Sequence, residues 1–225
     1  MQMKKLTFLF LFLCFGYGAA AQVEIGLMVS PTISGNRFIA EDRYNFEKEN
    51  NNLRLGVGVV ADYFFAQNYA FSTGLVYRSK GSEISYNYTR DENGSSINTQ
   101  GKDDIAIQYI ELPLTLKLFT NEIAPQTILY FQVGGSLNTK VAAKVNDRKV
   151  IDGEKTSKRF NIFEAAVMLG GGTEFQFGES TKLFAGLTYH RGLSDIDNKY
   201  YSKLLGDKNI SLKNNGVSLD VGVKF

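Results

Sequence analysis

The chain is poor in the residues that carry most redox and metal chemistry. Among 225 residues there is one cysteine, one histidine, no tryptophan and only 3 prolines. The single thiol, Cys14, lies in an apolar stretch near the start, so a chain trimmed there has no disulfide, zinc-thiolate cluster or cysteine nucleophile. Beyond that stretch no apolar run approaches the roughly 20 residues of a membrane helix, which excludes a helical membrane protein. At 44% apolar and 21% charged, the composition is not that of a disordered chain. No cofactor motif, fixed-period repeat or linker is apparent, and the length suits one domain.

What is present begins with an address. Residues 1–21 place Lys4 and Lys5 before the run Leu6 to Phe15 and close on Ala19-Ala20-Ala21, the charged, apolar and small-residue order of a secretory signal peptide. Cleavage is expected after Ala21, and Leu13 argues against Cys14 as a lipid anchor. Removing two lysines from 25 bases against 23 acids leaves a formally neutral domain at 22–225, with no global charge to draw it to nucleic acid.

The rest of the chain alternates with a period of two. Leu53, Leu55, Val57, Val59, Ala61 and Tyr63 share one face of an extended segment while Arg54, Gly56, Gly58 and Asp62 share the other. The same pattern marks seven further strands, from Val23 to Ser30, Phe71 to Arg78, Ile105 to Leu118, Leu129 to Asn138, Phe163 to Phe177, Leu183 to His190 and Gly216 to Phe225. In the fourth, the apolar set moves from Ile105, Ile107 and Tyr109 to Ile110, Leu112, Leu114, Leu116 and Leu118, which predicts a bulge near Tyr109. Pro113 in that strand removes a ladder donor and weighs against it. The connections alternate between long (31–52, 79–104, 140–159, 192–212) and short (66–69, 120–126, 178–181). Sequential pairing therefore gathers all long loops at one end, the arrangement of outer-membrane barrels with short periplasmic turns.

Alternation alone also fits a soluble ligand-binding barrel with its apolar face inward, so the faces must decide. One face is almost unbroken Leu, Val, Ile, Phe and Tyr. The other carries small residues and isolated charges of both signs, where a watery surface would be dense in Lys and Glu. The reading is an all-β, eight-stranded antiparallel up-and-down transmembrane β-barrel in the outer membrane of a Gram-negative bacterium, in contact with its lipid and lipopolysaccharide, with periplasmic termini. Tyr63, Phe64, Phe65, Tyr69 and Phe71 crowd one short turn, as an interfacial girdle would. Terminal Phe225 resembles the C-terminal signal read by the barrel assembly machinery.

Further stretches resemble a family. The leader ending Ala-Ala-Ala-Gln, Tyr109-Ile110-Glu111-Leu112-Pro113-Leu114, Gly192-Leu193-Ser194-Asp195-Ile196 and terminal Phe225 together resemble the PorT-like outer-membrane β-barrel proteins of Bacteroidetes, across the whole trimmed chain. The resemblance implies a link to protein secretion through the outer membrane, and hence envelope or secretion proteins as partners.

Three sets of residues are candidates for function. The polar face aims Arg54, Asp62, Arg78, Glu111, Lys117, Glu164, Glu174, Asp220 and Lys224 at the lumen. Arg78 and Glu111 stand at similar height, with Asp62, Lys117, Glu174 and Lys224 nearer the periplasm. Eight strands leave an interior just wide enough for side chains, so ion pairs are expected to plug it as structural elements. The third long loop is basic, with Lys140, Lys144, Arg148, Lys149, Lys155, Lys158 and Arg159 against three acids; it could meet lipopolysaccharide phosphates or an acidic glycan, or simply be a solvated hairpin. An enzyme would need His190, since general base chemistry needs a group titrating near neutral pH. Lipid-deacylating barrels place a serine two residues after the histidine, and here that residue is Gly192. A non-enzymatic barrel acting in envelope structure or surface interaction is the expectation, with a secretion accessory second and a lipid-modifying enzyme third.

Overall fold

Strict alternation of apolar and small or polar residues gives ribbons that can bury neither face alone, and closing them into a ring satisfies every backbone donor and acceptor along their length. The computed structural model describes residues 23–92, 95–151, 153–198 and 200–225; the expected leader and Cys14 lie outside the described residues. Its strands in chain order are β1 (Val23–Ile39), β2 (Glu47–Asn50), β3 (Asn52–Ala66), β4 (Tyr69–Lys80), β5 (Glu83–Glu92), β6 (Ser95–Phe119), β7 (Thr127–Val145), β8 (Val150–Ile151), β9 (Glu154–Lys155), β10 (Phe163–Gln176), β11 (Lys182–Gly192) and β12 (Ser211–Lys224). Eight of them, β1, β3, β4, β6, β7, β10, β11 and β12, pair antiparallel in sequence order, and the β1–β12 ladder closes the ring. Apolar partners face each other outward across that seam, as at Leu27 with Val223 and Val29 with Val221. The outward side chains stay bare over most of the wall, with Leu75 at 58% and Leu187 at 60% exposure. Water would not tolerate so large an apolar belt; lipid requires one.

Tight connections follow β3, β6 and β10 at one end, and both termini of the barrel lie there. Tyr63, Phe65, Tyr69 and Phe71 remain exposed around the first of these turns, with the rings of Phe65 and Phe71 4.8 Å apart. Phe64 alone turns inward, onto Phe119.

The strands run well past the belt at the other end, further than sequence periodicity predicts. β1 continues through Thr32, Ser34 and Asn36, whose small polar side chains are buried and mask the alternation. The bulge expected near Tyr109 is present. In β6 the odd residues face inward throughout, from Asp103 to Phe119, so the strand does not change phase. The register shifts opposite Gln108 and Tyr109, but the extra residue is Val141 in the partner strand β7. What changes in β6 is the lining of the interior, which is polar within the belt and apolar above it. Pro113 is accommodated facing inward within that same continuous strand.

Above the belt the long connections form a head with its own core. Ile84, Tyr86, Ile105, Ile107, Tyr109, Val145, Phe160, Ile196, Tyr201 and Leu212 are buried together, and Phe38 and Phe46 stack at 4.0 Å beside them. β5 prolongs β4 beyond a kink at Gly81, where φ is +124° and an added Cβ would meet the Ile105 carbonyl oxygen at 2.1 Å. Both hydroxyls of Tyr86 and Tyr201 donate to the same oxygen of Asp103, at 3.1 and 3.0 Å, and Asn146 donates to its other oxygen. One carboxylate thus fastens the second, third and fourth long connections to one another.

Candidate functional site

Inward positions on neighbouring strands bring the lumen charges together in two layers. In the lower one, Asp62 of β3 receives Lys117 of β6 at 3.0 Å and Lys224 of β12 on the same oxygen, and Lys224 also reaches Glu174 of β10. All four side chains are buried, and their charges cancel. Glu24, 3.6 Å from Lys224, and Lys182 extend the layer to the periplasmic mouth. Phe64, Phe119 and Tyr130 close it from below.

An apolar belt of Met28, Val60, Val76 and Phe184 separates this layer from the upper one. There Glu111 of β6 sits between Arg78, at 3.3 Å, and Lys80, at 3.1 Å, both from β4. Lys80 continues to Glu164 of β10 at 3.5 Å. Arg78 donates to the hydroxyls of Ser30 and Thr32. Ser30 in turn donates to Asp220, whose other oxygen accepts from Thr188 at 2.6 Å. Every charge in this layer therefore has a counter-charge or a hydroxyl partner, as a low-dielectric interior demands. The remaining space, bounded by Arg78, Lys80, Glu164, His190 and Asn214, is about 10 Å³, room for one water. Side chains fill the lumen at this level, with Arg78, Lys80, Glu111 and Glu164 all buried.

Of the nine lumen candidates, eight lie in these two layers. Arg54 does not: its side chain climbs to the rim, where it pairs with Asp104 at 2.9 Å and donates to the Ile105 carbonyl. Sequence reasoning missed Lys80, Glu24 and Lys182. Lys80 keeps the parity of Arg78, and the signal was lost by ending the strand at that arginine.

His190 is buried in the upper layer and its Nε2 lies 3.0 Å from the Ser218 hydroxyl. Ser194 and Asp195 do not join it. Ser194 Oγ accepts the Ala165 amide, and Asp195 accepts the amides of Asp197 and Leu212, so both are engaged in holding the loop backbone.

The basic loop separates into inward and outward members. Lys140 donates to the carbonyls of Ser157 and Phe160, and Arg159 stacks its guanidinium 4.1 Å from the Tyr200 ring centroid. Lys144 leans toward Asp147 at 3.7 Å. Arg148, Lys149, Lys155 and Lys158 are exposed.

The barrel architecture agrees with a comparison against known families. The model of the outer membrane protein β-barrel domain matches residues 19–198. The chain belongs to that family. No curated protein matches it in sequence. Among solved structures the barrel is similar to Neisserial surface protein A, at 12% identity over 92% of this chain and 97% of that one, with a TM-score of 0.49. It is also similar to Ail of Yersinia pestis in complex with the heparin analogue sucrose octasulfate, at 13% identity, 91% and 99% coverage and TM-score 0.41. A third is the N-terminal barrel domain of Pseudomonas aeruginosa OprF, at 11% identity, 90% and 97% coverage and TM-score 0.38. The protein is an outer-membrane β-barrel, and its belt contacts outer-membrane lipid.

Proposed function

We propose that this barrel is a non-enzymatic envelope protein that presents a rigid head at the cell surface and acts in envelope structure or surface interaction through it. The observation that carries the reading is the pairing of a lumen filled by buried side chains with an apolar core shared by all four long connections. A conduit would need the opposite arrangement. The lone histidine is enclosed beside Arg78 and Glu111, away from lipid, which supports a role without catalysis. The exposed Arg148, Lys149, Lys155 and Lys158 suit an anionic surface glycan. A deletion strain tests the reading: adhesion or detergent resistance should fall while secreted protein stays at the parental level.

A second reading, an accessory of protein secretion, follows from the PorT-like resemblance and from one feature of the barrel. The periplasmic mouth opens into a cavity of about 560 Å³ lined by Phe64, Phe119, Ile128, Glu24 and Lys182, which could receive a segment of an envelope partner. The same strain separates the two, since loss of an accessory would strand cargo in the periplasm.

A further inference from the structure

The register places three bases side by side on the lipid-facing wall, away from the basic loop. Arg37 of β1 lies directly opposite Lys213 of β12, and Arg191 of β11 lies opposite Asn215, two residues along β12 on the same face. Each sits just past the outward apolar run of its own strand: Ile33 on β1, Tyr189 on β11 and Val217 on β12. Arg191 is exposed, Arg37 and Lys213 are half-buried, and their inward neighbours Asn36, His190 and Asn214 are buried. Among the described residues no acid lies within ion-pair distance of any of the three. Arg37 reaches across β12 to the Gly192 carbonyl at 3.5 Å, and its Nε is buried without a partner.

Like charges directly opposite on adjacent strands destabilise a sheet, and their Cβ atoms are only about 5 Å apart. Such a pair is explained by an anion that lies over it and is chelated by both. The height identifies the anion. From Ile25 to Arg37 the tilted strand climbs on the order of 30 Å, the thickness of the hydrocarbon layer, so the bases reach the headgroup level. The end concerned is the one with the long connections, which in these barrels faces outward. We infer that Arg37, Arg191 and Lys213 form a binding site for a phosphate of the glycolipid in the outer leaflet. Two guanidinium groups give bidentate hydrogen bonds to phosphate oxygens and the ammonium adds a point charge.

This site depends on the bilayer placement of the barrel and not on the head as an interaction surface, so either can fail alone. The test uses the barrel in detergent micelles doped with bis-phosphorylated lipid A, scored by native mass spectrometry for retained lipid. Arg37→Gln/Arg191→Gln/Lys213→Gln should weaken retention at least tenfold, and dephosphorylated lipid A should bind the unaltered barrel as weakly. Neutralising Arg148, Lys149, Lys155 and Lys158 together should leave retention unchanged. Equal retention by the triple variant, indifference to the phosphates, or loss through the loop variant would overturn the site. If the triple variant does not fold, the exposed Arg191→Gln alone should show a several-fold loss, and no loss would overturn the site equally.

Discussion

Asp62 has no water to fall back on. It holds Lys117 and Lys224 at once, and all three are enclosed between aromatic rings below and an apolar belt above. Removing one partner from a buried ion pair costs more than the pair contributes, because the other charge is stranded in a low-dielectric interior. Asp62→Asn is therefore expected to cost roughly 3–5 kcal/mol, read as a lowered urea midpoint for the refolded barrel. Adding Lys117→Met should restore part of that loss, and purely additive effects of the two changes would refute the coupling. At this scale the sequence was legible by parity. Arg78 and Glu111 meet because alternation put both inward at matching height, whereas Arg54 shares that parity and still escapes to Asp104. Parity fixes direction and not reach, and a long side chain near the rim finds a partner outside the lumen.

The short helix Tyr200–Leu205 shows how an element can depend on one buried acid. Asp197 accepts the amides of Tyr200 and Tyr201 at its N-terminal end, at 3.1 and 3.4 Å. Burial, reinforced by the neighbouring charge of Asp195, pushes its pKa up to about 6, against the pull of those amides. An acid whose folded pKa lies above its unfolded value of 3.8 binds more protons in the folded state. Stability contributed by the neutral form thus grows as pH falls from about 6 toward 3.8, and is lost again as pH rises through 6. Amide exchange in Tyr200–Leu205, corrected for intrinsic rate, should be slower at pH 5 than at pH 7, and Asp197→Asn should erase the difference. This head was the part least legible in the sequence. Its strands carry Thr32, Ser34 and Asn36 inward on β1 but Ile105, Ile107 and Tyr109 inward on β6, so one periodicity means two opposite faces. Within the belt, lipid enforces a single meaning, and there the strands could be read directly. Above it, apolar residues turn in because water is outside, which produced the apparent change of phase in β6.

Seen whole, the molecule stacks two sealing layers and a cap along one axis. An aromatic base, a neutral charge layer, an apolar belt and a second charge layer follow each other below the head. Eight strands leave little room, and the side chains fill it. Reconstituted in planar lipid bilayers, the protein should therefore pass no single-channel current above background. Sustained openings would show that the layers part. Glu111→Ala/Glu164→Ala is the variant expected to admit water first, since Lys80 then loses both of its carboxylates.

Lys224 gives the ring a built-in check on its own completion. It stands on the last strand, yet its ammonium joins Asp62 on β3 to Glu174 on β10. Before β12 docks against β1, those carboxylates face an unfinished interior with Lys117 as the sole buried base of that layer. Closing the seam is what brings Lys224 onto Asp62, so ring closure and neutralisation of the lower layer are one structural event.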